Sequence, residues 1–404
     1  MSIGETYDPL GSHLLDPYPL YDRARDEEPV FWSPAVGAWV VTRYEDLLKV
    51  LRDPETYSSV NPFTRALPIG EEAVAELGKG YPHHPDLIQS DGETHARLRA
   101  PIAEVLKADR VAALEPYIRE RAEELVEGFA GDGAVEFMER YAVPLPCSTI
   151  GRLCGYDDER AKVAYSSLLA FTTLQSTHLT PEEEVEAARS GVRLQRLLGE
   201  LVRERHANPG TDAISTVVRL SSDGGKPLEY ADEAAIVANL VQLMIAGHIT
   251  TVPLLGMAMV LLLTHREQWE RLCADPALIP GAAEEILRYG TPASGLYRDT
   301  TRAATLGGVG LPEGARVVLR FNAANRDPAR FERAAAFDVE RKPGRHLAFG
   351  WGVHYCVGAG LARRQLEITL ETLTARLPGL RLTAPVTFRP VHDLRHPEAV
   401  HLAW

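Results

Sequence analysis

Cysteine is scarce in this sequence. The 404 residues include four cysteines, Cys147, Cys154, Cys273 and Cys356, and none of them forms a CxxC pair. The spacing therefore argues against a zinc site built on cysteine pairs and against a secreted disulfide framework. The first ten residues, MSIGETYDPL, contain no basic segment followed by an apolar run, so we expect no signal peptide. Together these features predict a protein of the reducing cytoplasm.

Positive charge is also in short supply. Lys and Arg number 43 against 56 Asp and Glu, which gives a formal net charge of -13. Because an acidic surface repels phosphate backbones, this balance argues against nucleic-acid binding.

Residues 234–264 lack charge of either sign, and such a run is long enough to cross a bilayer. Polar residues and a proline interrupt it: Asn239, Gln242, His248, Thr250, Thr251 and Pro253. These residues are costly in lipid unless they face protein or a cavity. We interpret the run as the buried central helix of a soluble protein, with a membrane span as the alternative.

The hydrophobic pattern predicts a mainly helical chain with minor β sheets. Residues 29–52 alternate as short strands do before a helical segment, and residues 302–322 contain a hairpin signal. The stretch 93–272 is mostly helical, and residues 359–376 form an amphipathic helix. Breaks are expected near Pro144, Asp157, Pro181 and Pro209. No repeat or Ser/Gly linker separates domains, so 1–404 is predicted to be a single domain that is large enough to enclose a cofactor.

Cys356 lies in the densest motif of the chain. Phe349 to Gly358 fits the pattern F-x-x-G-x-x-x-C-x-G, and an amphipathic helix follows. A cysteine at a helix N-terminus is favoured as a thiolate by free N–H groups and the helix dipole. Glycines such as Gly350 and Gly358 let the backbone run close beneath a planar group. The pattern predicts that Cys356 is the thiolate ligand of a haem iron, and the alternative is a buried cysteine in a Gly-rich turn.

Other motifs in the right order extend this pattern over the chain. Glu285-x-x-Arg288 is followed by ANRDP at 324–328, by FDVER at 337–341 and then by the cysteine loop. With these motifs the sequence resembles the cytochrome P450 family over essentially its whole length. The resemblance implies a single cytochrome P450 fold, with haem b between the central long helix and the cysteine-loop helix. It also implies that Arg341 joins Glu285 and Arg288 in a buried structural network.

The resemblance assigns further residues to the haem. Cations for the two propionates are His95, Arg99, Arg298 and His354. His95 and Arg99 are four residues apart, so one helix face can present both. Residues expected to line the haem are Ala246, Phe349, Gly350 and Gly358. For each cation taken alone, a solvated surface charge is the alternative.

The central helix departs from the family's A-G-x-(D/E)-T-T motif. The stretch reads Ala246-Gly247-His248-Ile249-Thr250-Thr251, so Ile249 occupies the position of the acid. By resemblance Gly247 leaves space for dioxygen and Thr250 supplies the hydroxyl beside it. A positioned acid–base group is typically worth ~10²–10⁴ in rate, and isoleucine cannot relay protons. Protons could come from water or His248, or from the substrate; otherwise the enzyme is poorly coupled or altered at this position.

Two neighbours of Ile249 sharpen the question. His248 has a pKa range suited to proton transfer, although a helix-packing role is the favoured alternative. Pro253 cannot donate to the carbonyl of Ile249, so the helix should be kinked or opened beside the oxygen site. We predict that this carbonyl, or water bound to it, belongs to the altered proton network.

The remaining predictions concern substrate and partners. By resemblance the substrate pocket is lined by Leu243, Ala246, Thr250, Ala293, Leu296 and Leu394, each of which could equally be a packing residue. No flavin or iron–sulfur segment is visible, although much of the chain resembles the haem part of self-sufficient, reductase-fused members. We therefore expect electrons from a separate ferredoxin and ferredoxin reductase, or from a flavodoxin, and a monomeric protein. Candidate docking cations are Arg97, Lys107, Arg110, Arg345, Arg363 and Arg364.

Three functions remain open on these grounds. The leading hypothesis is an oxidoreductase of secondary metabolism, a monooxygenase that hydroxylates or otherwise oxidises a small organic molecule. The second uses the same haem chemistry for dehydrogenation, ring closure or C–C or C–N coupling, with a non-standard proton supply. The third is a haem-based binder or sensor without turnover, against which the retained Thr250 argues.

Overall fold

The structure is a computed structural model, and it describes residues 2–63, 69–175, 179–222, 227–391 and 393–404. Helices account for 56% of the described residues and strands for 10%, so the predicted mainly helical class with minor sheets is confirmed. The chain divides into two compact units. Unit 1 comprises Met1–Phe63, Glu115–Leu145 and Thr250–Trp404, and unit 2 comprises Thr64–Leu114 and Pro146–Ile249. The prediction of a single domain over 1–404 stays a prediction.

The helices follow one another along the whole chain. They are α1 (Ile3–Thr6), α2 (Tyr18–Glu27), α3 (Tyr44–Arg52), α4 (Glu71–Leu77), α5 (Gly92–Val105), α6 (Ala108–Ala130), α7 (Pro144–Cys154), α8 (Asp158–Thr172), α9 (Pro181–Ala207), α10 (Ala213–Ser221), α11 (Tyr230–Ile249), α12 (Thr251–Thr264), α13 (Arg266–Ala274), α14 (Ile279–Gly290), α15 (Phe321–Ala324) and α16 (Ala359–Arg376). Shorter turns of 3-10 helix occupy Thr173–Gln175, Pro276–Leu278 and Gly352–His354, and a π-helical turn occupies Met138–Ala142.

Among the described residues, the strands all belong to unit 1. They are β1 (Val30–Ser33), β2 (Ala38–Val41), β3 (Tyr57–Ser58), β4 (Ala134–Glu136), β5 (Gly295–Thr300), β6 (Ala304–Leu306), β7 (Val309–Leu311), β8 (Arg316–Arg320), β9 (Arg381–Leu382) and β10 (His401–Ala403). The largest sheet has the order β1-β2-β8-β5-β3, in which β2 and β8 are parallel and the other pairs antiparallel. A three-stranded sheet has the order β4-β10-β9, and β6 and β7 form a hairpin.

The core of unit 1 lies against both faces of the five-stranded sheet. One apolar cluster contains Val41, Leu47 and Leu319, and another contains Tyr7, Val40 and Val318. Adjacent residues of a strand point to opposite faces, which is why Val40 and Val41 enter different clusters. This sheet carries Arg298 and Leu296, two of the predicted site residues, on β5.

Unit 2 is built around the long helix α9. Thr180 and Glu183 form a capping box at its N-terminus with Pro181 in the first turn, which explains the predicted break at this proline. An added Cβ at Gly191 would lie 2.5 Å from a ring carbon of Phe171, so the glycine permits close packing of α9 on α8. Helices α4, α10 and α11 also pack on α9.

The uncharged central run is helical and interrupted. Tyr230–Thr264 is long and apolar enough to cross a membrane, yet 67% of its most apolar window is buried within the protein. Within it α11 ends at Ile249 and α12 begins at Thr251. The predicted opening of the helix close to Pro253 is therefore confirmed.

The stretch 93–272 is mostly helical as predicted, but it also contains the short strand β4, whose partner β10 lies at 401–403. The described part of residues 386–404 contains β10 and isolated bridges such as Phe388 to Pro397. The pairing of β4 with β10 joins residues distant in sequence, which local alternation does not reveal.

Candidate functional site

The cysteine loop is closed by its own backbone. The N–H of Cys356 donates to the carbonyl of Phe349 at 2.9 Å, and the N–H of Ala359 donates to the carbonyl of Cys356 at 3.3 Å. Gly350 and Gly352 have φ of +65° and +72°, in the left-handed region that favours glycine. The loop therefore holds Cys356 three residues before the start of α16, where the helix dipole favours a thiolate.

The donor set of this loop fits a haem held by one sulfur. Cys356 is in no disulfide, and no group of three or more His, Cys, Asp or Glu that could hold a metal ion occurs among the described residues. An added Cβ at Gly358 would meet no atom within 4 Å, so the backbone there is open to a flat neighbour. Gly352 has another reason to be glycine, because a Cβ there would lie 2.4 Å from the carbonyl oxygen of Leu51.

Glu285 and Arg288 form a buried pair next to the loop. Arg288 Nε donates to Glu285 Oε2 and its Nη2 donates to Oε1, each at 2.7 Å, and both side chains are almost fully buried. Arg341 Nε adds a bond of 3.1 Å to the same carboxylate. The three residues that the resemblance groups together are therefore brought together by the fold.

Asn325 connects this network to the cysteine loop. Arg288 Nη1 donates to the Asn325 carbonyl at 2.8 Å, and the Asn325 side-chain oxygen accepts from the N–H of Leu347 at 2.6 Å. Asn325 belongs to the ANRDP motif, for which the sequence offered no individual role. Its side chain fixes the chain two residues before Phe349.

Glu284, Arg363 and His346 form a second charged cluster near the loop, which was not predicted from the sequence. Arg363 Nε donates to Glu284 Oε1 at 2.6 Å, and His346 Nε2 lies 3.3 Å from Glu284 Oε2. Burial alone raises the pKa of Glu284, but its contacts with His346 and Arg363 outweigh burial and hold the pKa at about 2. The carboxylate is therefore ionised at neutral pH. The sequence does show two adjacent glutamates at 284 and 285, but only Glu285 belongs to the Glu-x-x-Arg motif.

The predicted propionate cations are distributed over both units. In unit 2, His95 and Arg99 lie one turn apart on α5, and His95 is 5% exposed. In unit 1, Arg298 on β5 is also 5% exposed and donates to the Tyr297 carbonyl at 2.6 Å. His354 ends the 3-10 turn of the cysteine loop. The assignment of these four cations to the haem propionates stays a prediction.

Residues 246–250 present a partly open face in an otherwise buried helix. Ala246, Gly247, Ile249 and Thr250 are partly exposed, whereas the residues at 239–245 and 251–259 are buried. Ala246 and Ile249 are three residues apart and share one face of α11, and Thr250 follows at the break between α11 and α12. The stretch carries an apolar side chain at 249 and a hydroxyl at 250.

Gly247 is accounted for by helix packing. An added Cβ would lie 2.7 Å from Ile150 Cδ1 on α7, so the glycine permits close approach of α7 and α11 within unit 2. The space for dioxygen that the resemblance assigns to Gly247 stays a prediction.

His248 lies on the side of α11 that faces α7 and α8. Its Nδ1 is 3.0 Å from Cys147 Sγ, and its ring meets Tyr165 edge-on at 6.5 Å between centroids. Burial raises the pKa of the Cys147 thiol, so the sulfur stays protonated. A small pocket with room for about one water adjoins these side chains. The position suits a packing histidine.

Three of the predicted pocket residues belong to unit 1 and lie close together. Ala293 and Leu394 pair in an isolated β-bridge, and Leu296 follows on β5. All three are partly exposed, whereas Leu243 on α11 is buried. The turn that carries Leu394 is anchored by the bond of 2.8 Å from Ser294 N–H to the Asp393 carbonyl.

Several predicted docking cations are already paired. Arg363 faces Glu284, Arg364 faces Glu115 at 2.6 Å, and Lys107 faces Glu104 at 2.6 Å. Arg345 stacks over the Trp351 ring at 4.2 Å. Their charges are therefore partly neutralised by neighbours.

The sequence around this site is similar to that of known proteins. The family model for cytochrome P450 matches residues 277–377, which include the Glu285 and Cys356 motifs. The chain is 35% identical to cytochrome P450 107B1 of Saccharopolyspora erythraea, over 95% of this chain and 94% of that protein. It is 32% identical to the 6-deoxyerythronolide B hydroxylase of the same organism, over 92% of this chain and 91% of that protein.

The fold agrees with these sequence matches. An intact type IV self-sufficient cytochrome P450 monooxygenase superposes with a TM-score of 0.93 at 30% identity. The match covers all of this chain, which spans 53% of the length of that longer protein.

Proposed function

Because this chain belongs to the cytochrome P450 family and is a haem-dependent monooxygenase, we propose that Cys356 is its haem ligand and that it oxidises a small organic molecule with electrons from a separate partner. The observation that carries the proposal is the closed loop that holds Cys356 at the N-terminus of α16. Ferredoxin with ferredoxin reductase, or flavodoxin, is the proposed electron source. The proposed setting is a monomer in the cytoplasm.

When bound, the haem supplies the oxidant for reactions of this class, and a thiolate ligand favours O–O cleavage. The chain's part is to hold Cys356 as a thiolate, which the N–H groups of the α16 N-terminus favour. Phe349, Gly350 and Gly358 shape the surface on the sulfur side. Ala246 is also proposed to line the haem.

We assign the haem carboxylates to four cations. These are His95, Arg99, Arg298 and His354. Charge-assisted bonds of this kind are roughly twice as strong as neutral ones, so they orient a carboxylate as well as bind it. His95 and Arg298 are each 5% exposed, so the assignment concerns groups inside the protein and not solvated surface charges.

Proton delivery is the step in which this chain departs from its family. Thr250 Oγ1 can accept and donate a proton, whereas Ile249 can do neither. Gly247 and His248 complete the stretch, and the contact of His248 with Cys147 favours its packing role. We infer that water or a group on the substrate brings the proton to Thr250.

Spectroscopy and turnover test the main proposal. The reduced, CO-bound protein should show the absorption band of a thiolate-ligated haem, and Cys356→Ser should abolish it. Cys147→Ser is the matched control and should retain the band. NADPH consumption with ferredoxin and ferredoxin reductase should yield an oxidised product. A normal band in Cys356→Ser would overturn the ligand assignment, and absence of any product with any substrate would favour a non-catalytic haem binder.

The apolar side chain at 249 supports a second candidate function. Dehydrogenation, ring closure or coupling by the same haem chemistry would be compatible with a proton supply that lacks a carboxylate. Ile249→Glu restores the family's acid and should raise the fraction of NADPH converted to product if hydroxylation is native. Unchanged coupling and unchanged products would show that the missing carboxylate is unimportant.

Substrate class is inferred from the pocket and the relatives. Ala293, Leu296 and Leu394 form a small, apolar patch within unit 1, and one relative is a hydroxylase of 6-deoxyerythronolide B. We propose an apolar intermediate of secondary metabolism as the substrate. A spin-state screen of natural-product and aromatic libraries should detect binders as a shift of the haem absorption.

A further inference from the structure

Arg363 contacts both ends of the cysteine loop. Its guanidinium lies 4.6 Å from the centre of the Phe349 ring, and its Nη1 donates to the Tyr355 hydroxyl at 3.3 Å. Phe349 begins the loop and Tyr355 immediately precedes Cys356. One side chain from α16 therefore bridges the first residue of the loop and the neighbour of the sulfur.

Glu284 fixes the orientation of Arg363. The carboxylate accepts from Nε at 2.6 Å and from Nη2 at 3.2 Å, so the two planar groups face each other in a bidentate pair. Such a pair defines both distance and direction, which a single contact with a point charge would not. Glu284 itself is anchored on α14, one residue before the buried Glu285.

His346 connects the same carboxylate to the loop through a second path. The N–H of Ala348 donates to His346 Nδ1 at 3.2 Å, so Nδ1 acts as acceptor and the ring proton lies on Nε2. Nε2 is the atom that faces Glu284 Oε2 at 3.3 Å. The imidazole thereby holds the residue before Phe349, and its ring lies 6.0 Å from the Phe349 ring.

Phe349 transmits these contacts to the sulfur. Its carbonyl accepts the N–H of Cys356 at 2.9 Å, so displacement of Phe349 changes the position of the cysteine backbone. Hydrogen bonding and charge around a metal ligand tune the affinity and the potential of the metal. The Glu285 network reaches the loop by a separate path, through Asn325.

We propose that Glu284 is a positioning residue for the haem ligand, acting through Arg363 and His346 on Phe349 and so on Cys356. The inference rests on the proposed function, because it takes Cys356 as the iron ligand. It assigns to Arg363 an internal role in place of the docking role that its charge alone had indicated.

The haem-loaded protein provides the test through two measurements that do not require turnover. In Glu284→Gln the negative charge is lost while the side-chain shape is kept. We expect the reduction potential to become more positive, because electron uptake is favoured when a nearby negative charge is removed. We also expect the thiolate-type band of the CO complex to decay roughly 10-fold faster under mild denaturant, since ligand-supporting contacts typically matter on this scale.

Glu371→Gln is the matched control. Glu371 lies on α16 and accepts from two arginines, Arg119 at 2.6 Å and Arg364 at 3.4 Å, but it contacts none of the loop residues named above. Its potential and band stability should match those of the unmodified protein. Equal shifts in Glu284→Gln and Glu371→Gln would overturn the proposal, because net charge alone would then explain them.

A second variant covers the case in which Glu284→Gln does not retain haem. Arg363→Lys keeps the positive charge but cannot form the bidentate pair, and it loses the planar contact with Phe349. The band should decay faster while the potential changes little. Unchanged decay would overturn the positioning role. If the unmodified protein lacked the thiolate band altogether, the proposed ligand would fail instead, so the two failures are distinguishable.

Discussion

The cysteine loop holds the proposed haem ligand, and residues 246–250 hold the groups proposed for proton delivery. Different kinds of contact keep the two regions in place. The loop is supported by carboxylate–arginine pairs, namely the buried Glu285 with Arg288 and the partly exposed Glu284 with Arg363. The central helix is held instead by apolar contact, with Gly247 against Ile150, and by the contact between His248 and Cys147. A charged support defines the direction of a ligand, whereas an apolar support defines volume and excludes water.

Breaking the buried pair should have the largest effect. Glu285→Gln leaves Arg288 without its anion in a site where both side chains are almost fully buried, and we expect a loss of about 3–5 kcal/mol in the free energy of unfolding. Urea unfolding of the haem-loaded protein measures it. Glu270→Gln, which removes an exposed partner of Arg266, should cost about 0.5 kcal/mol or less. Similar costs for both variants would show that burial does not make the Glu285–Arg288 pair important to stability.

Low pH should destabilise the protein by protonating Glu284 beside the cysteine loop. Its pKa of about 2 lies below the value of about 4.5 for an unperturbed carboxyl, so the folded state favours the charged form. The stabilisation is therefore complete above about pH 4.5 and is lost as the pH falls towards 2. The stability difference between the unmodified protein and Glu284→Gln should shrink over this range by on the order of 1–3 kcal/mol. A difference that does not vary with pH would contradict the charge assignment.

Gly247→Ala tests the apolar support. The new methyl group would lie 2.7 Å from Ile150 Cδ1, and overpacking of this kind costs about 1–3 kcal/mol. Ile150→Val removes this closest atom and leaves Cγ1, which would lie at 3.2 Å, so adding it should recover most of the loss. Gly128→Ala, in α6 with no atom within 4 Å of the added Cβ, should instead stabilise the protein by about 0.5–1 kcal/mol. Failure of the double variant to recover stability would refute the packing explanation.

The smallest effect is expected at Cys147. Cys147 Sγ lies 3.0 Å from His248 Nδ1, and Cys147→Ser keeps a hydrogen-bonding group at this position. The free energy of unfolding should therefore change by only about 1 kcal/mol, the size of one hydrogen bond. The fraction of NADPH converted to product should be unchanged if His248 is a packing residue. A lower fraction at unchanged stability would place this pair in the proton supply and make the central helix more than an apolar support.

Patterns within one element could be predicted from the sequence. The Glu285–Arg288 spacing, the break at Pro181 before α9 and the opening beside Pro253 follow from helix geometry and covalent structure. Arg341 and the haem residues required resemblance, because their partners are far away in sequence.

What escaped prediction depends on contacts between distant segments. Glu284 meets its partner Arg363 79 residues later, and Gly247 meets Ile150 on another helix. The strand β4 pairs with the last residues of the chain. Each of these contacts depends on tertiary packing, which hydrophobic periodicity and residue spacing along the sequence do not reveal.

The pairing of arginines along α16 also bears on how an electron donor would approach. Arg363, Arg364 and Arg376 each lie against carboxylates, including Glu284, Glu115 and Glu123. Cations neutralised in this way produce a field that fades within a short distance. An acidic donor arriving at this helix would gain little long-range steering, and its association rate should vary only weakly with ionic strength.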